Sequence, residues 1–171
     1  ELIAQCLALM TAQIESRGGT VIKTLGDEIM CTFPTADAAV ESTMAMQAAV
    51  TEGLSSINPN TPAALTIRVG LHFGPAILEG GDIFGDAVNV AARMASVAKG
   101  GQIITTRDTA AALSPLLVGS TRHLDRIRVK GKAEDMDIFE VIWQPDDVTR
   151  IATDLFKKPD QDSRLILQYH A

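Results

Sequence analysis

Leu2, Ile3, Cys6, Leu7, Met10 and Ile14 recur at helical spacing over residues 2–15, and Arg17-Gly18-Gly19 then supplies a stop. Thr20 to Thr24 is rich in β-branched residues and reads as a strand. Leu25-Gly26-Asp27 turns the chain, and Glu28 to Phe33 returns with Ile29, Cys31 and Phe33 on one face, so the two segments predict a hairpin. Pro34 and Thr35 open a second helix carrying Ala39, Val40, Met44, Met46, Ala49 and Val50. A turn-rich loop is expected from Ser55 to Pro62. Leu65 to Phe73 alternates like a strand, Gly74-Pro75 breaks it, and Ala76 to Leu78 resumes it. Phe84 to Val97 predicts a third helix, with Val88, Ala91, Ala92 and Ala95 small enough for close packing. A short buried strand at Gln102–Thr105, a short helix at Thr106–Leu113, and strands at His123–Val129 and Met136–Trp143 complete the pattern. Helices mixed with mostly antiparallel strands imply an α+β fold, the helices packed against one sheet.

Beyond Trp143 the pattern changes. Gln144 to Asp162 has the Pro, Asp and Lys content of a linker. Leu165, Leu167 and Tyr169 then alternate as in a lone strand, which must pair with something. The start of a further β domain is therefore expected at residues 163–171, a forkhead-associated, phosphopeptide-binding module being one guess. Glu1 opens directly into a helical pattern without Met, as a fragment of a longer chain would.

The 171 residues are 46% apolar and 21% charged, enough to bury a core, which excludes general disorder. The net charge of −6 argues against nucleic acid or an anionic membrane as the main partner. No apolar run approaches the ~20 residues of a membrane helix. Cys6 and Cys31 make neither a disulfide framework nor a metal knuckle, and free thiols in apolar segments suit a reducing, cytoplasmic setting.

Three clusters could carry chemistry. In Lys23-Thr24-Leu25-Gly26-Asp27-Glu28, a carboxylate at a hairpin tip is placed to hold a divalent cation; the competing reading is an Asp bonding its own turn. In Gly85-Asp86-Ala87-Val88-Asn89-Val90-Ala91-Ala92-Arg93, Asn89 and Arg93 stand four apart on one helix face. Amide and guanidinium together could hold a ribose oxygen and a phosphate; a solvated stripe is the alternative, and an Asn buried among Ala and Val would need a partner. Lys130-Gly131-Lys132, at a second hairpin tip, offers point charges to a triphosphate or simply keeps a sheet edge soluble. His72 is expected beside the sheet and His123 at the surface. No Ser/His/Asp set, paired Cys/His ligands or GxxxxGKT loop occurs.

Taken in order, Lys23-Thr24-Leu25-Gly26-Asp27, Arg68-Val69-Gly70-Leu71-His72-Phe73-Gly74, Gly85 to Arg93 and Val129-Lys130-Gly131 resemble the catalytic domain of class III adenylate and guanylate cyclases over residues 1–143. The resemblance implies a ferredoxin-like cyclase fold. It implies two divalent metal ions, Mg²⁺ or Mn²⁺, with Asp27 as one of the two aspartates that bind them, and Lys23 with Asp82 as the purine-reading pair in the adenine-selecting combination. Asn89 and Arg93 match the transition-state pair, and Lys130 the phosphate-contacting lysine, a task Lys132 could share. It further implies ATP as substrate, cyclic AMP and pyrophosphate as products, and a head-to-tail homodimer with shared sites. The family's first strand, bearing the first metal aspartate, precedes the first helix, so an N-terminally truncated domain is expected. A non-catalytic cyclase-homology module that binds nucleotide or a partner is the alternative for this stretch.

Overall fold

The computed structural model describes residues 2–57 and 65–144. The expected linker beyond Gln144, the strand at 163–171 and most of the loop after Ile57 lie outside them.

Helix α1 (Leu2–Glu15) buries Cys6, Met10 and Ile14, one residue per turn. It ends as its glycines require. Gly18 adopts φ 73°, its N–H donates to Glu15 O, and Gly19 N–H reaches back to Ile14 O at 2.9 Å. β1 (Thr20–Leu25) and β2 (Glu28–Thr32) form the expected antiparallel hairpin, with Gly26 at φ 61° in its turn. Thr35 caps α2 (Ala36–Ile57) by accepting from Ala38 N–H, and the helix runs past Ser55, where a loop was expected.

The predicted long strand at Leu65–Phe73 is a two-residue element, β3 (Val69–Gly70). Val69 N–H donates to Gln102 O, Leu71 N–H to Ile104 O, and Gly101 N–H to Ile67 O, all toward one neighbour. Alternation reports burial, but a ladder needs partners, and β3 has a strand on one side only among the described residues. β4 (Ile77–Glu79) and β5 (Asp82–Phe84) make a small separate hairpin. The third helix, α3 (Asp86–Val97), therefore starts two residues later than the periodicity predicts, after Gly85 at φ 125°. β6 (Ile103–Thr106), α4 (Arg107–Ala111), α5 (Pro115–Val118), β7 (Thr121–Ile127) and β8 (Met136–Val141) follow; α5 was not expected.

The main sheet has the order β3-β6-β8-β7, with β3 parallel to β6 and the other pairs antiparallel. The β1–β2 hairpin is a sheet of its own. Helices cover both faces of the main sheet. Val40 of α2 and Leu117 of α5 pack with Ile103 and Val141, whereas Met94 and Ala98 from α3 and its end pack with the oppositely facing Ile104 and Ile138. A third cluster joins α1 and α2 to the β1–β2 hairpin. Buried Gln47 ties α2 to the sheet by donating to Ile67 O at 3.1 Å.

Asp137 on β8 gathers the far edge. It accepts from Arg107 at 2.6 Å, Arg126 at 3.1 Å and His123 at 3.2 Å, and its side chain is 12% exposed. The Arg126 hydrogen bond holds its carboxyl far below the usual carboxylate range, against the opposing effect of burial; Arg107 and His123 add to the fall. A carboxylate depressed on folding stabilises the protein above its unfolded pKa of ~3.9, and that contribution is lost as pH falls toward the folded value. Asp137→Asn is expected to cost about 2 kcal/mol at neutral pH. The gap between variant and wild type should narrow below about pH 4 in denaturant titrations.

Candidate active site

Lys23 stands on β1 and Asp82 opens β5, 59 residues later. Packing of the two hairpins brings them together: Lys23 Nζ donates to Asp82 Oδ1 at 2.8 Å and to Oδ2 at 3.0 Å. The Lys23 bond, and then a 2.8 Å bond from Ile83 N–H, holds the Asp82 carboxyl below the usual carboxylate range. Asp82 is therefore an ionised acceptor at neutral pH. Both side chains are about one-third exposed, so a ligand can reach them. Leu25, Ile77, Leu78 and Phe84 lie exposed on the same hairpins.

Asn89 and Arg93 do share one face of α3, joined by Asp86 at the spacing i, i+3, i+7. This stripe is exposed beside the buried Ala87, Val90 and Met94. Asn89 itself is exposed, so of the two readings open for it the solvated stripe describes its burial, and Ala92 next to it is exposed too: alanine content is not burial. Arg93 donates at 3.4 Å to Ser96, one turn on, and makes no ion pair among the described residues. The height of α3 over the sheet is set by Gly70: a Cβ there would lie 2.1 Å from Ala95 N and 2.4 Å from Ala91 O.

Asp27 is exposed at the β1–β2 tip. Its hard oxygens suit Mg²⁺ or Mn²⁺. No three His, Cys, Asp or Glu converge on a possible metal site among the described residues. Lys130 is exposed in the turn Val129–Lys132, which closes with Lys132 N–H donating to Val129 O and Gly131 at φ 87°. Lys132, a second candidate for phosphate, is bonded to Asp86.

A hydrogen-bonded chain that sequence reading missed runs beneath the start of α3. His72 Nδ1 lies 2.7 Å from Thr106 Oγ1, Thr106 Oγ1 lies 3.0 Å from Thr109 Oγ1, and Thr109 Oγ1 accepts from Phe73 N–H. Burial pushes the His72 imidazole below its ordinary range; Asp108 and Asp86 oppose the fall and Lys132 adds to it. The neutral ring serves as a hydrogen-bonding post. The adjacent Thr105-Thr106 and Thr109 were the available signal, since hydroxyls in a buried segment must find partners.

Residues 1–142 match the family described as the adenylate and guanylate cyclase catalytic domain. The chain belongs to the class III cyclase family. The chain is 30% identical over 152 residues to an adenylate cyclase of Anabaena cylindrica, covering 79% of this chain and 30% of the relative. It is 34% identical over 104 residues to a putative adenylate cyclase 3 of Rhizobium meliloti, covering 60% and 17%. The chain thus spans less than a third of the length of these relatives. Among solved structures, an adenylate/guanylate cyclase/hydrolase from Silicibacter pomeroyi superposes with TM-score 0.69 at 29% identity, covering 78% of each chain. An adenylyl cyclase from P. aeruginosa superposes at 0.66 and 23% identity, covering 82% of this chain and 80% of that one, a likeness of fold alone. No helix among the described residues is long and apolar enough to cross a membrane.

Proposed function

We propose that the domain is an adenylate cyclase, converting ATP to 3′,5′-cyclic AMP and pyrophosphate. The observation that carries this reading is the Lys23–Asp82 pair, a cation and an ionised carboxylate 2.8 Å apart and open to solvent. Adenine offers an acceptor at N1 and a donor at N6. Lys23 donates to the first and Asp82 accepts from the second, each giving up part of its bond to the other. Guanine presents the reverse order, a donor at N1 and an acceptor at O6.

The ribose 3′-oxygen attacks the α-phosphorus, its proton passes to water, and the bond from the α-phosphorus to the bridging oxygen of the β-phosphate breaks to release pyrophosphate. Asn89 orients the ribose, Arg93 meets the charge that grows on the α-phosphate, and Lys130 contacts the triphosphate as a point charge. Asp27 would help hold the two divalent cations, which would supply charge neutralisation at the phosphates when bound. The exposed Leu25, Ile77, Leu78 and Phe84 around the purine pair favour a second copy covering this face, so that Asp27 of one copy serves the Lys23, Asp82, Asn89 and Arg93 of the other.

The full-length protein is expected to form cyclic AMP with Mg²⁺ or Mn²⁺; no product from ATP or GTP with either cation overturns the reading. Lys23→Glu, alone or with Asp82→Ala, should move the ATP:GTP ratio of kcat/KM toward GTP by on the order of 10²-fold. An unchanged ratio in both variants means the purine is read elsewhere.

A further inference from the structure

The turn that carries Lys130 is fastened to α3 at two points. Val129, at its start, is buried with Met94, Ala98, Ile104 and Ile138. Lys132, at its end, bonds Asp86, the first residue of α3. Asp86 stands on the same stripe as Asn89 and Arg93, one and two turns away. Two lysines in one turn thus have different surroundings: Lys132 is held by Asp86, and Lys130 projects into solvent.

We propose that Asp86 and Lys132 form a clasp that registers the Lys130 turn against the Asn89–Arg93 face of α3, making both of them positioning residues for the nucleotide phosphates. This rests on the cyclase reading for the identity of the ligand, but the clasp itself does not. The pair is too exposed to matter much for global stability, with 64% of the Asp86 side chain and 35% of the Lys132 side chain accessible. Its effect is local. Without it the turn keeps the Val129 anchor, the closing Lys132 N–H bond to Val129 O and the exposed Arg128–Asp135 pair at its base, none of which ties its Lys132 end to α3, and Lys130 samples many positions. Lys130 holds phosphates in ground and transition states alike, so its misplacement weakens binding rather than the chemical step. The rival role for Asp86 is to park Lys132 until ATP draws it away, and that role has the opposite sign: removing Asp86 would then free a phosphate ligand.

The experiment pairs amide exchange with kinetics on the full-length protein. Asp86→Asn and Lys132→Gln are each expected to speed exchange at the residue 132 amide about tenfold. Each should raise KM for ATP about tenfold with kcat within about threefold. Lys130→Gln added to either should raise KM by much less than it does in the wild type. The swapped pair Asp86→Lys with Lys132→Asp should recover protection and KM. Unchanged exchange overturns the clasp, and so does a lower KM in Asp86→Asn. Additive effects with Lys130→Gln overturn the positioning role. If the wild type forms no cyclic nucleotide, the cyclase reading falls separately, and exchange at residue 132 still decides the clasp.

Discussion

Gly70→Ala is expected to lower thermal stability by about 10 °C and to remove most cyclase activity. A methyl group at this position would stand 2.1 Å from Ala95 N and 2.4 Å from Ala91 O, and both obstacles are backbone atoms of α3. No rotamer change relieves them; the helix must lift from β3. Overpacking a core costs roughly 1–3 kcal/mol when side chains can yield, and a rigid helix backbone belongs at the top of that range or above. About 3 kcal/mol corresponds to about 10 °C for a domain of this size. Lifting α3 also moves Asn89 and Arg93 away from the Lys23–Asp82 pair, and positioning errors near 1 Å cost about 10²-fold in rate. Thermal unfolding and product formation check the two effects on one sample. A Tm within about 1 °C of wild type would mean that α3 is held less tightly over β3 than the contact geometry requires.

What could be read from the sequence followed from where local physics decides. The helix stripes, the Gly18-Gly19 stop, the Thr35 cap and both Gly-containing turns were legible because each rests on residues within a few positions of one another. The Leu65–Phe73 strand was over-read, since hydrophobic alternation cannot say whether a partner strand lies alongside. Strand β5 was hidden because Asp82-Ile83-Phe84 is short and Phe84 also continues the helical period of α3. The site divides in the same way. Asn89 and Arg93 sit at i and i+4, so spacing alone places them together. The Lys23–Asp82 meeting spans 59 residues, and family likeness rather than spacing pointed to it. The Asp86–Lys132 contact spans 46 residues between two ordinary surface charges, and nothing local marks either one.

Arg93→Ala is expected to lower kcat and kcat/KM together by on the order of 10²–10³ while ATP affinity changes little. The reason lies in when its charge is used. On the proposed reading, attack on the α-phosphorus builds negative charge that the ground state lacks, and a guanidinium on the exposed stripe of α3 would meet that charge. The Arg93 side chain donates to Ser96 at 3.4 Å and makes no ion pair among the described residues, so its removal leaves no buried group unpaired and should leave Tm nearly unchanged. Loss of rate then reports chemistry and not folding; a change confined to KM would assign Arg93 to ground-state binding. The same variant tests the shared-site dimer. A chain with Asp27→Ala retains the purine pair and Arg93, and a chain with Arg93→Ala retains Asp27. If each site draws Asp27 from one copy and Arg93 from the other, a mixed dimer contains one site with both residues intact and one site lacking both. Random mixing should then recover roughly a quarter of wild-type activity from two nearly inactive proteins, because half the dimers are mixed and each has one working site of two. If sites were confined to single chains, every site in the mixture would lack one residue, and activity would stay at the level of the parents even with mixed dimers demonstrated.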